Sequence, residues 1–183
     1  MNDKINKDKI QKNENIIFED YIINSATRQD ANEVLALYKM QIGRAFCPWT
    51  DNYPDMQEIE FDLSRNALFV MKNKEGKIIA AISVDEDEAV SKLPYWTKQL
   101  APGGELARLA VHPDYQNQGI ARIMLLYAMR ELPNRGYRSV HFLVNRLNVK
   151  ALRSYDKLNF NNVGECEMFD QPFYCYEKDL ANI

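Results

Sequence analysis

Residues 116–121, Gln116-Asn117-Gln118-Gly119-Ile120-Ala121, form a short polar turn with one glycine. An apolar run precedes it, Leu106 to Val111, and strong helix formers follow it, Arg122 to Leu132. His112-Pro113-Asp114 closes the apolar run, because proline lacks a donor and biases the residue before it away from the helical region. Strand, tight polar turn and helix start gather unpaired backbone N–H groups at the positive end of a helix dipole, which suits phosphate. The N–H groups of Gln118, Gly119, Ile120 and Ala121 are the candidate donors, with Gln116 able to donate from its side chain and Asn117 and Arg122 at either side. Taken alone, the same residues also fit an ordinary strand-to-helix turn. Two titratable groups bracket the strand, Glu105 at its head and His112 at its end. A phenol, Tyr155, lies on a separate helical segment, with Ala151 four residues and Asn148 two turns before it on the same side. A phenol titrates at ~10 and can donate a proton or a hydrogen bond.

These groups need a scaffold. Tyr21-Ile22-Ile23-Asn24-Ser25-Ala26-Thr27 reads as a first strand, Thr27 and Asp30 as helix N-caps, and Ala31 to Ile42 as a helix with Val34, Leu35, Leu37, Tyr38 and Ile42 in a stripe. An aromatic loop follows, with Phe46, Trp49 and Tyr53, and Pro54 to Arg65 reads as a second helix started by its proline. Ala67 to Met71 and Lys77 to Val84 form a hairpin around Gly76. Residues 85–104 make a long connection, acidic at its start, with a short helix expected around Tyr95 to Leu100. Later come a strand at Ser139 to Val144, a helix at Val149 to Leu158, and a strand pair at 163–168 and 173–178 turning at Asp170-Gln171-Pro172. The expectation is a single-domain mixed α/β fold, with a mostly antiparallel central sheet flanked by helices, over residues 16–183. Residues 1–15, rich in Lys, Asn and Asp, read as a flexible N-terminal extension.

Bulk properties narrow the function. The 183 residues suit one domain with a full core, and the balance of 46% hydrophobic to 27% charged residues argues against wholesale disorder. A net charge of -3 argues against duplex nucleic acid as a partner. Three cysteines without C-x-x-C spacing, and only two histidines, speak against a structural zinc site and for free thiols. No apolar run reaches the roughly 20 residues of a membrane span, and the N-terminal stretch lacks a signal-peptide core, so the expected setting is cytoplasmic, without membrane.

Two motifs carry a resemblance. Gln116-x-x-Gly119-x-Ala121 resembles the acyl-CoA pyrophosphate loop of the GNAT superfamily of N-acyltransferases. Asn148-x-x-Ala151-x-x-x-Tyr155-x-Lys157-Leu158-x-Phe160 is similar to the family's C-terminal pattern, and the element order also matches. One departure is Asn159, where the family usually has glycine; asparagine tolerates positive φ better than most residues.

The resemblance implies acetyl-CoA as co-substrate, no metal, and a primary amine of a small molecule or peptide as acceptor. It implies that Leu109, Ala110 and Val111 line the pantetheine arm, and that the Val111 N–H stabilises the developing oxyanion. It places Asn148 on the pantetheine or phosphate arm and gives Ala151 the role of leaving room. Glu105, six residues before Val111, is then the candidate base, acting on the amine through water, and Tyr155 the acid that protonates the CoA thiolate. Phe46, Trp49 and Tyr53 fall where the acceptor pocket has one wall, and core packing explains them equally. The acidic run Asp85 to Glu88 suits a cationic amine, or a solvated turn. A monomer or homodimer fits. A second reading, an acyl-CoA-binding sensor or scaffold without turnover, differs in releasing no thiol. A third keeps the enzyme and makes a protein N-terminus or lysine the acceptor.

Overall fold

The computed structural model describes residues 16–18 and 21–181, so the expected extension at 1–15 lies outside the described residues. Strands β1 (Ile16–Phe18) and β2 (Tyr21–Ser25) are followed by α1 (Ala31–Lys39), α2 (Met56–Ser64), β3 (Leu68–Lys72), β4 (Ile78–Asp85) and the one-turn α3 (Glu88–Ser91). Then come β5 (Gly103–Val111), α4 (Ile120–Glu131), β6 (Ser139–Asn145), α5 (Val149–Asp156), β7 (Asn161–Met168) and β8 (Gln171–Asp179). The described strands form one eight-stranded sheet in the order β1-β2-β3-β4-β5-β6-β8-β7. Every neighbouring pair is antiparallel except β5 and β6, which the α4 crossover makes parallel. The mixed, mostly antiparallel sheet with flanking helices is the expected fold.

Helices cover both faces. One core contains Phe69, Ile82, Leu106, Met124, Leu125 and Phe142, under α4 and α5. The other contains Val34, Leu37, Tyr38, Ile59, Val70 and Ala110, under α1 and α2. This explains why β3 and β4 read as unbroken apolar runs: both faces are buried, so alternation is absent.

Several boundaries differ from expectation. The second helix starts at Met56, not Pro54, because Asp55 takes the N-cap: its carboxylate accepts the Gln57 N–H at 2.6 Å, and Glu58 accepts the Asp55 N–H at 2.8 Å. In the long connection, helix forms over Glu88–Ser91, capped by Asp87, and only a 3-10 turn at Lys98–Leu100. Gly103 and Gly104 belong to β5 rather than to the connection. The last hairpin turns at Phe169 and Asp170, both at positive φ (52° and 56°), which leaves Gln171 and Pro172 in β8. Asn159 does adopt positive φ, 55°. Cys47, Cys166 and Cys175 are free thiols.

Candidate active site

Strand β5 controls the geometry. Opposite β4 its register runs Glu105 to Asp85, Leu106 to Val84 and Ala107 to Ser83, then slips before Ala110 pairs with Ala81. Arg108 and Leu109 thus stand opposite Ile82 alone, and Arg108 holds the bulge at φ 51°. Opposite β6 the pairing covers only Gly103–Ser139, Gly104–Val140 and Glu105–His141. Past that point the two parallel strands separate. Both glycines permit the close start: a Cβ at Gly103 would meet His141 Nδ1 at 2.7 Å, and one at Gly104 would meet the Leu132 side chain at 2.7 Å.

The separation opens a cleft of about 590 Å³. Leu106 to Leu109 line it from β5, and Phe142 to Asn145 from β6. Asn148, Ala151 and Tyr155 of the α5 region line it too, as do Phe46 and Trp49. The cleft therefore collects residues from both sequence motifs and from the aromatic loop. Trp49 also packs edge-on against Tyr38, with centroids 5.2 Å apart, so it serves core and cleft together. Tyr53 does not line the cleft; its hydroxyl accepts a hydrogen bond from Arg108 Nη1 at 3.2 Å.

The turn ahead of α4 has Asn117 at φ 62° and Gly119 at φ 84°. A Cβ on Gly119 would meet nothing within 4 Å, so the glycine is required by its φ and not by crowding. Gly119 is the N-cap of α4 and makes no side-chain cap, which leaves the first N–H groups of the helix for another acceptor. Ile120 points its side chain into the core, 2% exposed, and offers only its backbone. The Gln116 side chain turns inward: it donates to the Val111 carbonyl at 3.0 Å and accepts from Arg44 Nη2 at 2.8 Å. Asn148 uses its Oδ1 to accept the Ala151 N–H at 3.1 Å, capping α5. His112 ends its strand, with Nδ1 accepting the Asp114 N–H at 3.3 Å.

Ala110 and Val111 are buried with their side chains in the two cores, and neither lines the cleft. His112 N–H bonds to Ile79 C=O, so the Val111–Ala80 rung is of the non-hydrogen-bonded kind and the Val111 N–H is directed away from β4. Yet Val111 and Glu105 lie roughly 20 Å apart along an extended strand. The unpaired bulge residue Leu109, which lines the cleft, brings an amide closer to Glu105.

Glu105 lies outside this cleft, in a second cavity of about 300 Å³ with Asp85, Asp87, Gly103, Tyr137 and His141. Burial first, then the charges of Asp85 and Asp87, pushes its carboxyl up to about 8. Burial alone pushes Tyr155 up to about 12. The phenol ring sits among Phe142, Phe160 and Tyr176, at centroid distances of 4.9, 6.2 and 6.2 Å. A neutral Tyr155 is a proton donor at any ordinary pH.

Arg108 was the residue the motifs missed. It is 7% exposed and bonds Asp62 through Nη2 at 3.0 Å and Asp85 through Nη1 at 2.7 Å. Asp62 also accepts from Ser83 Oγ at 2.5 Å. Arg108 thus ties the bulge to α2, β4 and the aromatic loop. The signal was an arginine in the middle of an apolar strand, where a charge survives only if paired.

Comparisons with known proteins agree with this geometry. The family model described as "Acetyltransferase (GNAT) family" matches residues 34–160. The chain is 39% identical over 56 residues to the [ribosomal protein bS18]-alanine N-acetyltransferase of Escherichia coli K12, covering 31% of this chain and 38% of that protein. It is 26% identical over 117 residues to the mycothiol acetyltransferase of Kytococcus sedentarius, covering 63% of this chain and 35% of that protein. The match thus spans little more than a third of the length of these curated relatives. Among solved structures, an N-acetyltransferase from Staphylococcus aureus Mu50 superposes with a TM-score of 0.68 at 22% identity, over 87% of this chain and 98% of that one. The yncA acetyltransferase of Salmonella typhimurium, solved with acetyl-CoA, gives 0.69 at 15% identity, over 89% and 95%. The likeness to both structures is one of fold. With the family model covering most of the chain, from α1 to the end of α5, this chain belongs to the GNAT acetyltransferase family.

Proposed function

We propose that the protein transfers an acetyl group from acetyl-CoA to a primary amine by direct attack within a ternary complex. The observation that carries this reading is the separation of β5 from β6 beyond Glu105 and His141, which opens a slot ending beside the cradle at the α4 N-terminus. The acetyl-CoA held by the Salmonella protein and the acetyltransferase names of both curated relatives support it.

Each residue has a defined task. The N–H groups of residues 118–121 hold the pyrophosphate, and the positive φ of Asn117 and Gly119 shapes their concavity. The apolar walls from Leu106, Leu109 and Phe142 exclude water from the arm. The thioester oxygen takes the Val111 N–H, which is directed away from β4, or the Leu109 N–H, which is nearer to Glu105. Ala151 leaves room beside the sulfur, and Tyr155 donates the proton the thiolate needs. Glu105 takes the amine's proton through water, with a basicity that matches an alkyl amine better than an ordinary carboxylate would. Phe46 and Trp49 form the acceptor wall. The described residues contain no cluster suited to a metal, and the scheme uses none. No described helix is long and apolar enough to cross a membrane. A cytoplasmic setting completes the reading, since the mechanism consumes acetyl-CoA and the thiols are free.

The test is thiol release from acetyl-CoA against a panel of small amines and short peptides, with mass spectrometry of the products. Amine-dependent release with a mass gain of one acetyl group is the expected result. Binding of acetyl-CoA with no release for any amine overturns the enzyme and leaves a binding module.

A further inference from the structure

The last two strands carry two thiols that the acetyl-transfer scheme does not use. In the β7–β8 ladder Gly164 is the register partner of Cys175, and Phe173 is the partner of Cys166. Residues two apart on a strand share a face, so the two sulfurs stand on the same side of the sheet, diagonal to one another. Tyr174 and Tyr176, which flank Cys175, pack toward the core under α4 and α5, so the thiols face the other way. Gly164 puts no side chain between them, and the Tyr95 ring covers it from the β4–β5 connection. The Cys175 S–H donates to Cys166 Sγ at 3.8 Å. Access differs: Cys166 is half-buried and Cys175 is 0% exposed.

The surroundings let this contact become a bond. Strand β7 is an edge of the sheet and pairs with β8 alone. Its register also slips between Asn162 and Gly164, beside the two thiols. A strand held on one side, next to an irregular rung, can shear by the ~2 Å that separates this contact from a sulfur–sulfur bond. The path to the cleft is short. Leu143 on β6 is the register partner of Cys175, as Phe173 is of Cys166. Both line the cleft, with Phe46 and Trp49. Close packing passes a shift of the β7–β8 rungs to that wall.

We propose that Cys166 and Cys175 are a redox pair, which a low-molecular-weight disulfide closes into an intrachain disulfide that resets the acceptor wall of the cleft. The Cys166 thiolate attacks one sulfur of the small disulfide RSSR. That S–S bond breaks, Cys166–SR forms, and RS⁻ leaves and takes up a proton. The Cys175 thiol then loses its proton to solvent and attacks Cys166 Sγ, and the second RS⁻ leaves and is protonated. The protein gives up two electrons and two protons, and RSSR becomes two RSH. Access and charge set this order. Of the two thiols only Cys166 reaches the surface. Burial first, then the charge of Cys166, pushes the Cys175 thiol up to about 12. The mixed disulfide carries no charge on Cys166 Sγ, so forming it lifts the second restraint on Cys175. In a reducing setting the pair rests as the dithiol, the form the structure holds. The disulfide stands apart from the acetyl-transfer reading, and only its effect on the acceptor rests on that reading.

The test incubates the full chain in glutathione buffers of rising disulfide content, then alkylates and weighs it. The expected product is two hydrogens lighter and keeps one alkylatable thiol of the three. Cleavage after Phe169 should leave the peptides on either side joined. Cys166→Ser should block closure, Cys175→Ser should trap one glutathione on Cys166, and Cys47→Ser should close as the wild type does. Three alkylatable thiols throughout, or glutathione held on the wild type without closure, overturns the pair. Steady-state kinetics on the open and closed forms read the consequence. KM for the amine should shift by about tenfold, with KM for acetyl-CoA little moved, and dithiothreitol should reverse it. Neither Cys166→Ser nor Cys175→Ser should show that reversible shift. Closure with unmoved kinetics upholds the pair and overturns its hold on the cleft. Closure with no turnover of any amine in either form upholds the pair and overturns acetyl transfer.

Discussion

Glu105 and His141 are partners on the last rung of the parallel ladder between β5 and β6, and no rung follows them. Both are buried in a cavity beside the cleft, and burial moves them in opposite senses: the carboxyl up to about 8, the imidazole down to about 4. Each is therefore predominantly neutral near pH 7, which is the cheapest state for an acid and a base in a dry site.

This sets the pH profile. A base must be ionised to act, so kcat/KM should climb through pH 8 and level off above it. Glu105→Gln should abolish that limb and lower the plateau by about 10²-fold, the low end for general base catalysis. A series of initial rates between pH 6 and 9.5 decides it; an unchanged profile removes Glu105 as the base.

The same shifts act on stability, with opposite signs. A carboxyl raised from 4.5 to about 8 favours folding while protonated, so its contribution fades as pH rises through that window. A histidine lowered from 6.5 to about 4 favours folding while neutral, so its contribution fades as pH falls through that window. Thermal melts should show Glu105→Gln more stable than wild type at pH 8.5 and nearly equal at pH 5. His141→Phe should flatten the acid side of the curve instead.

Tyr155→Phe keeps the ring against Phe142 and Phe160 and deletes only the hydroxyl. Turnover should drop by about 10²-fold with KM for acetyl-CoA little changed. Steady-state kinetics with varied acetyl-CoA tests this, and an undiminished kcat ends the acid role.

Arg108→Met should cost about 3–5 kcal/mol in urea unfolding, because Asp62 and Asp85 lose the cation between them. Asp62→Asn should cost less, since Arg108 keeps Asp85.

Gly119→Ala forces a Cβ into a left-handed position, φ 84°, with no clash to relieve. The expected cost is about 1–2 kcal/mol of stability. Affinity for acetyl-CoA should fall further than affinity for a thioester of pantetheine that lacks the phosphates, which calorimetry with both ligands measures.

Local patterns carried most of the fold into the sequence. The hairpin at Gly76, the helix after Gly119 and the strands at 78–85 and 139–145 all follow from turn residues and apolar runs. The two motifs end on one cleft because α4 and α5 flank β6, and order along the chain suffices to say so. What failed to show was anything set by register. The bulge at Arg108 and the second cavity arise from which residue lies opposite which on neighbouring strands. Side-chain direction was equally hidden: nothing in Gln116 or Asn148 as letters says that their amides turn to Val111 and Ala151.

Three rungs join the half of the sheet that runs from β1 to β5 to the half made of β6, β8 and β7. With Gly103 and Gly104 in two of those rungs, the seam is thin and closely set, and it acts as a fulcrum. A small rotation there becomes a larger change in slot width at the far end, where the strands stand furthest apart. Any side chain added at Gly104 would press on Leu132 and Tyr137 and alter the bite of the cleft without touching a single residue that lines it.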